Sequence, residues 1–127
     1  SATVEQTFED KKVSTVPEEG LITIDQFFGT SLKVGTIIAA QSVPKSTKLL
    51  KLQVDLGEEA YRQVIAGIRE YYTPESLVGT QVCVVANLKP AKLMGMLSEG
   101  MLLAAKDSEG LSLVRPEHTR KSGSSIG

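Results

Sequence analysis

Asn87-Leu88-Lys89-Pro90-Ala91-Lys92-Leu93-Met94-Gly95-Met96-Leu97-Ser98-Glu99-Gly100-Met101 joins two apolar runs, Val82 to Ala86 before it and Met101 to Ala105 after it. Both runs have the length and composition of strands. The joining segment carries an amide, two lysines, a hydroxyl, a carboxylate and three methionines, punctuated by Gly95 and Gly100. A connection needed only to reverse the chain is usually much shorter. The segment is therefore neither a short turn nor a low-complexity linker.

Outward from it, the periodicity predicts a small β-barrel. Thr23 followed by Gln26 forms the pattern of a capping box over a short turn containing Phe27 and Phe28. A first strand is expected from about Leu32 to Val43, long enough to bend, with Gly35 as a bulge or a point of close approach. Leu50, Leu52, Val54 and Leu56 alternate with Lys51, Gln53 and Asp55, the period of a half-buried strand. Gly57-Glu58-Glu59 turns the chain into a third strand, Tyr61 to Ala66. Thr73 as N-cap and Pro74 at the first helical position then start a short helix that Gly79 ends. Strand four is Gln81 to Ala86 and strand five about Met101 to Ala105; a turn at Asp107 to Gly110 leads to an extra strand, Leu111 to Val114. Five strands with a helix between the third and fourth match the all-β, five-stranded Greek-key barrel called the OB-fold.

At 127 residues with 41% hydrophobic side chains, the chain can bury one core and has no room for a second. No apolar run approaches the ~20 residues of a membrane helix. Ser1 to Glu5 shows no secretory pattern, and one cysteine leaves no internal disulfide, so a cytoplasmic setting with no membrane association is expected. The formal charge of −1 conceals an asymmetry. Residues 1–20 hold five acidic and two basic side chains and read as a solvated leader or interdomain linker. Residues 21–127 hold 12 basic and 10 acidic groups, a net of +2, and form the domain proper. Such a balance permits nucleic-acid binding without establishing it.

The wording of Asn87-Leu88-Lys89-Pro90, Ser98-Glu99-Gly100-Met101, Asp55-Leu56-Gly57 and Ala66-Gly67-Ile68 strongly resembles the tRNA-binding OB-fold domain family. That family includes free dimeric bacterial tRNA-binding proteins, the C-terminal appendage of many methionyl-tRNA synthetases and the endothelial monocyte-activating polypeptide-like domain. The resemblance covers roughly Ile22 to Gly127. It implies tRNA as partner, a C-terminal extension used for homodimerisation, and covalent attachment to a synthetase catalytic domain, which the acidic leader favours over a free-standing protein.

Seven residues are candidates for the RNA surface. Lys45 and Lys48, near Lys51, sit where strand one passes into strand two, as a solvated strand end or as phosphate contacts. Their segment, Val43-Pro44-Lys45-Ser46-Thr47-Lys48-Leu49, is similar to a family loop reading His-Pro-x-Ala-Asp-x-Leu. Val43 replaces the histidine and Ser46-Thr47 the Ala-Asp pair, so no contact is carried onto those positions. Asn87 either caps a turn or bonds a base edge or sugar, while Lys89 and Lys92 supply charge. By resemblance, Ser98 and Met101 belong to the tRNA-contacting surface, a hydroxyl for phosphate or ribose and a thioether for base or sugar. Glu99 would repel phosphate and is better placed in a structural role. Met94 and Met96 fit core filler equally well.

Aromatic side chains are few, with no tryptophan, which argues against a long single-strand groove and for recognition of a folded RNA through its shape and backbone. Leu111, Leu113 and Val114 either form a hairpin packed on its own barrel or supply the dimer surface, and the resemblance favours the dimer. Neither Cys83, inside an apolar strand, nor His118, in the polar tail, has a catalytic partner nearby in sequence. No metal site and no cofactor are expected, and the domain alone is expected to be non-catalytic. Two other functions stay open: a dimeric chaperone-like OB-fold protein binding unfolded polypeptide, and a structural dimerisation appendage.

Overall fold

The computed structural model describes residues 15–127, so most of the acidic leader, residues 1–14, lies outside the described residues. The chain enters through α1 (Ile24–Phe27), capped by the expected box: Oγ1 of Thr23 accepts from Gln26 N–H, and Oε1 of Gln26 accepts from Thr23 N–H. β1 (Leu32–Ser42), β2 (Leu50–Asp55) and β3 (Arg62–Ala66) follow as an antiparallel meander. α2 (Pro74–Leu77) starts at Thr73, whose hydroxyl accepts from Ser76 N–H, and Gly79 follows with φ +86°. β4 (Gln81–Val85) then pairs with the first half of β1. This central strand can serve two neighbours because it bends: Leu32 to Thr36 pair with β4 and Thr36 to Ser42 with β2.

The bend has two causes, and sequence located only one of them. Gly35 is a close approach, since a Cβ there would lie 2.5 Å from Val54 Cγ1 and 2.8 Å from Val84 Cγ2. The register shift itself falls between Ile37 and Ala39. Leu50, Leu52 and Val54 of β2 point inward with Val64, Val82, Val84, Leu56 and Leu77 to fill the barrel, as the alternation requires.

The segment after β4 differs from the expected loop. It folds as a hairpin of β5 (Ala91–Leu93) and β6 (Met96–Ser98), with Met94 and Gly95 both at positive φ, +48° and +79°. Two such residues make a two-residue turn matched to strand twist. Met-Gly lacks the usual Asn or Asp signal for that turn, which explains why sequence gave no sign of it.

Strand five is also shorter than expected. β7 (Met101–Leu102) pairs with β4, and after the Leu103 N–H to Cys83 O bond the ladder ends, because Val114 donates to Leu103 O and accepts from Cys83 N–H. The chain then leaves the barrel as a separate hairpin, β8 (Ala104–Asp107) with β9 (Gly110–Leu113). The tail returns to β1 through β10 (Ser125–Ile126), and Gly123 N–H donates to Val34 O. Arranged as β3-β2-β1-β4-β7, the strands form the nearly closed OB barrel.

Candidate nucleic-acid interface

Two loops flank the outer face of β2 and β3. Residues 43–49 form the first. Val43 is buried, so that position offers no exposed side chain to a ligand. Ser46 Oγ accepts from Lys48 N–H at 3.2 Å and Leu49 N–H at 3.0 Å, and Arg69 donates to the carbonyls of Val43 and Ser46. Lys45, at φ +66°, and Lys48 are exposed on this braced loop.

The β5–β6 hairpin forms the second. Its root is tied to the barrel by four side chains. Asn87 Oδ1 accepts from Ser31 N–H at 2.9 Å and its Nδ2 donates to Gly29 O at 2.7 Å, so its amide holds the turn before β1. Ser98 is 6% exposed; its Oγ accepts from Ile65 N–H at 3.0 Å and donates to Gly100 O at 3.1 Å. Gln63 Nε2 donates to Leu97 O at 2.9 Å. Arg62 donates to the carbonyls of Ala86 and Glu99, which bracket the hairpin.

Arg62 and Gln63 were invisible as functional residues in sequence, because nothing local marks a strand residue whose partners lie 24 to 37 positions away. Arg62 is held in turn by Glu58, whose two carboxylate oxygens it reaches at 2.9 and 2.8 Å. That bidentate bond holds the Glu58 carboxyl below the usual carboxylate range and raises the guanidinium.

The two loops connect through β3. Lys51 on β2 stands opposite Ile65 on β3, Ile65 bonds Ser98 on β6, and Ser98 stands opposite Ala91, beside Lys92. At about 4.8 Å between adjacent strands, Lys51 and Lys92 lie on the order of 15 Å apart. Lys89 and Lys92 are exposed on the hairpin, with Met101 beside its root at 47% exposure. Exposed lysines on both loops suit an anionic ligand contacted mainly through its backbone. Of the seven sequence candidates, the structure thus places Lys45, Lys48, Lys89, Lys92 and Met101 outward and engages the Asn87 amide and the Ser98 hydroxyl internally.

The three tail residues divide. Leu113 is 5% exposed and part of the barrel core, its N–H donating to Tyr72 Oη, and Leu111 packs against that core. Val114 is 42% exposed. It lines one cleft of about 350 Å3 with Cys83 and Ile126, and Ile126 lines a second cleft with the exposed Phe28. Burial pushes the Cys83 thiol up, away from the reactive thiolate. Among the described residues, no group of three or more His, Cys, Asp or Glu converges, and no helix is long and apolar enough to cross a membrane.

Barrel, flanking loops and lysine placement define a small nucleic-acid-binding module of the OB class. The chain belongs to the putative tRNA-binding domain family, whose model matches residues 32–125. It is 53% identical over 116 residues to a methionine–tRNA ligase of Helicobacter pylori, covering 91% of this chain and 18% of the ligase. It is 50% identical over 122 residues to that of Methanocaldococcus jannaschii, covering 94% of this chain and 19% of the ligase. The chain thus spans under a fifth of those relatives and is homologous to their C-terminal region. Among solved structures it resembles a MetRS-related protein from Pyrococcus horikoshii, with TM-score 0.78 and 34% identity over 84% of this chain and 98% of the other. It also resembles the chaperone CsaA of Bacillus anthracis, with TM-score 0.76 and 28% identity over 85% and 100%.

Proposed function

We propose that this domain binds folded tRNA across the β2–β3 face, with Lys45 and Lys48 on one side and Lys89, Lys92 and Met101 on the other. Lysines contact phosphates, whereas Asn87 and Ser98 hold the hairpin in position and leave sequence-specific reading to few groups. The carrying observation is that β3 and the residues after it brace two separate lysine-bearing loops, Arg69 holding the first and Arg62, Gln63 and Ile65 the second. In the parent protein the domain is appended to a methionyl-tRNA synthetase catalytic region in the cytoplasm. It is itself non-catalytic and raises the local concentration of tRNA at the active site. Residues 1–20 serve as the interdomain linker. A homodimer forms through the apolar surface that Phe28, Ile126 and Val114 share, since two clefts meet at Ile126.

Titration with tRNA, with single-stranded RNA of equal length and with an unfolded polypeptide tests this reading. Preference for tRNA, falling as salt rises from ~50 to 200 mM, is expected. Affinity that stays flat across that range, or preference for the polypeptide, would remove it; the second result would favour the chaperone-like function that the CsaA resemblance keeps in view.

A further inference from the structure

The barrel is not closed by a ladder. β3 and β7 pair with other strands but not with each other, and the bonds that draw them together, Glu99 N–H to Gln63 O and Ile65 N–H to Ser98 Oγ, lie before β7 begins. Beyond them the seam opens into a cleft of about 240 Å3. One wall is Ile65 to Ile68, the floor Gly100 to Leu102, and the β8–β9 hairpin contributes Ala104, Leu111 and Leu113. Every lining side chain is uncharged. The volume falls below the ~300–1,000 Å3 of drug-sized sites and suits one flat ring system.

Gly67 stands on this wall without a structural need for glycine. Its φ lies outside the left-handed region, and a Cβ there would meet nothing within 4 Å. Gly35, by contrast, is required by close packing. A residue without a side chain that the fold does not demand keeps the cleft open. Two lysines sit at residues next to it: Lys51 is the cross-strand partner of the lining residue Ile65, and Lys48 belongs to the loop whose carbonyl accepts from Arg69 N–H just past Ile68. Met101, exposed at the floor, adds a polarisable surface of the kind that packs on aromatic rings.

Resting on the tRNA reading above, we propose that this cleft receives one unstacked nucleobase of the bound RNA, with Lys48 and Lys51 on the adjoining phosphates. An apolar slot alone would suit a peptide side chain equally. The lysines at its border favour an anionic chain whose flat apolar groups recur between charges, which describes a nucleic acid.

Gly67→Leu fills the slot from one wall and Ala104→Phe from the hairpin side, both at exposed positions. Each variant and the unmodified domain would be titrated with tRNA at several salt concentrations, with circular dichroism and melting as folding controls. Loss of about tenfold or more in tRNA affinity is expected, with the salt slope unchanged because no phosphate contact is removed. A folded variant of either kind that binds tRNA as tightly as the unmodified domain overturns the proposal and leaves the tRNA function standing. Failure of the unmodified domain to bind tRNA removes both. If instead the variants lose binding to an unfolded polypeptide while keeping tRNA, the slot takes side chains and the nucleobase proposal is wrong.

Discussion

Ser98→Ala separates folding from ligand contact at the residue where sequence and structure differ most. By resemblance Ser98 belongs to the RNA surface, and its loss should then leave melting unchanged. In the structure its hydroxyl bonds Ile65 N–H and Gly100 O inside the wall of the barrel. Alanine would leave the Ile65 amide, in a residue only 6% exposed, without a partner. A buried donor left unsatisfied costs ~1–3 kcal/mol. The Gly100 carbonyl is half-buried and adds less, because water can reach it. A total of about 2 kcal/mol follows, which lowers Tm by roughly 6–10 °C in a domain this size. Urea unfolding followed by circular dichroism is the assay, with the midpoint shifting at constant m-value. A loss under about 0.5 kcal/mol, the range of ordinary surface substitutions, would refute the internal role and return the hydroxyl to the ligand surface.

Lys89→Ala and Lys92→Ala should each weaken all tRNAs by similar factors and reduce the salt slope by about 1, checked by anisotropy titrations; selective loss for one tRNA would mean base reading instead. Glu58→Gln tests the Arg62 clamp through pH: because the Glu58 carboxyl is depressed when folded, its contribution is full above its unfolded value near 4.5 and fades as pH falls through the folded one. The variant should therefore be less stable at neutral pH, by less than about 1 kcal/mol for so exposed a pair, and equal to the parent in strong acid, as followed by urea unfolding across pH. Leu113→Ala should cost ~2–5 kcal/mol as a core truncation, whereas Val114→Asp should leave monomer stability nearly unchanged and prevent the proposed dimer from forming in sedimentation.

The barrel was legible because its information is local and periodic. Leu50, Leu52 and Val54 face inward as their alternation requires, and Thr23, Gln26, Thr73 and Pro74 cap where capping chemistry predicts. What escaped notice depends on distant partners. The hairpin turn at Met94-Gly95 uses a methionine at positive φ, which no composition rule anticipates. Leu113 reads as an unpartnered strip residue until Tyr72, 41 positions away, and the barrel core are seen to cover it. The candidate site divides along the same line. Lysines could be chosen from charge alone, but whether the polar groups of Asn87 and Ser98 face ligand or fold depends on Gly29, Ser31 and Ile65, which no spacing in the sequence links to them.

The anchoring of the hairpin bears directly on how it binds. Its bonds gather at the root: Arg62 holds the carbonyls on both sides of residues 87–98, Asn87 fixes the entering strand, and Gln63 and Ser98 fix the leaving one. Leu93 and Met94 at the tip are exposed. Lys89 and Lys92 lie between root and tip, on backbone that these bonds hold at its root. Ordering a loop and its long side chains opposes association, so a loop braced in advance keeps more of its phosphate contact energy as affinity. The same bracing limits how far the loop's backbone can adapt, while the ammonium groups are carried on exposed, flexible stems. A folded RNA presents its backbone in one curvature, whereas a flexible strand adopts one only at an entropic cost. Under the proposed function this favours folded RNA without any base-reading partner for the lysines.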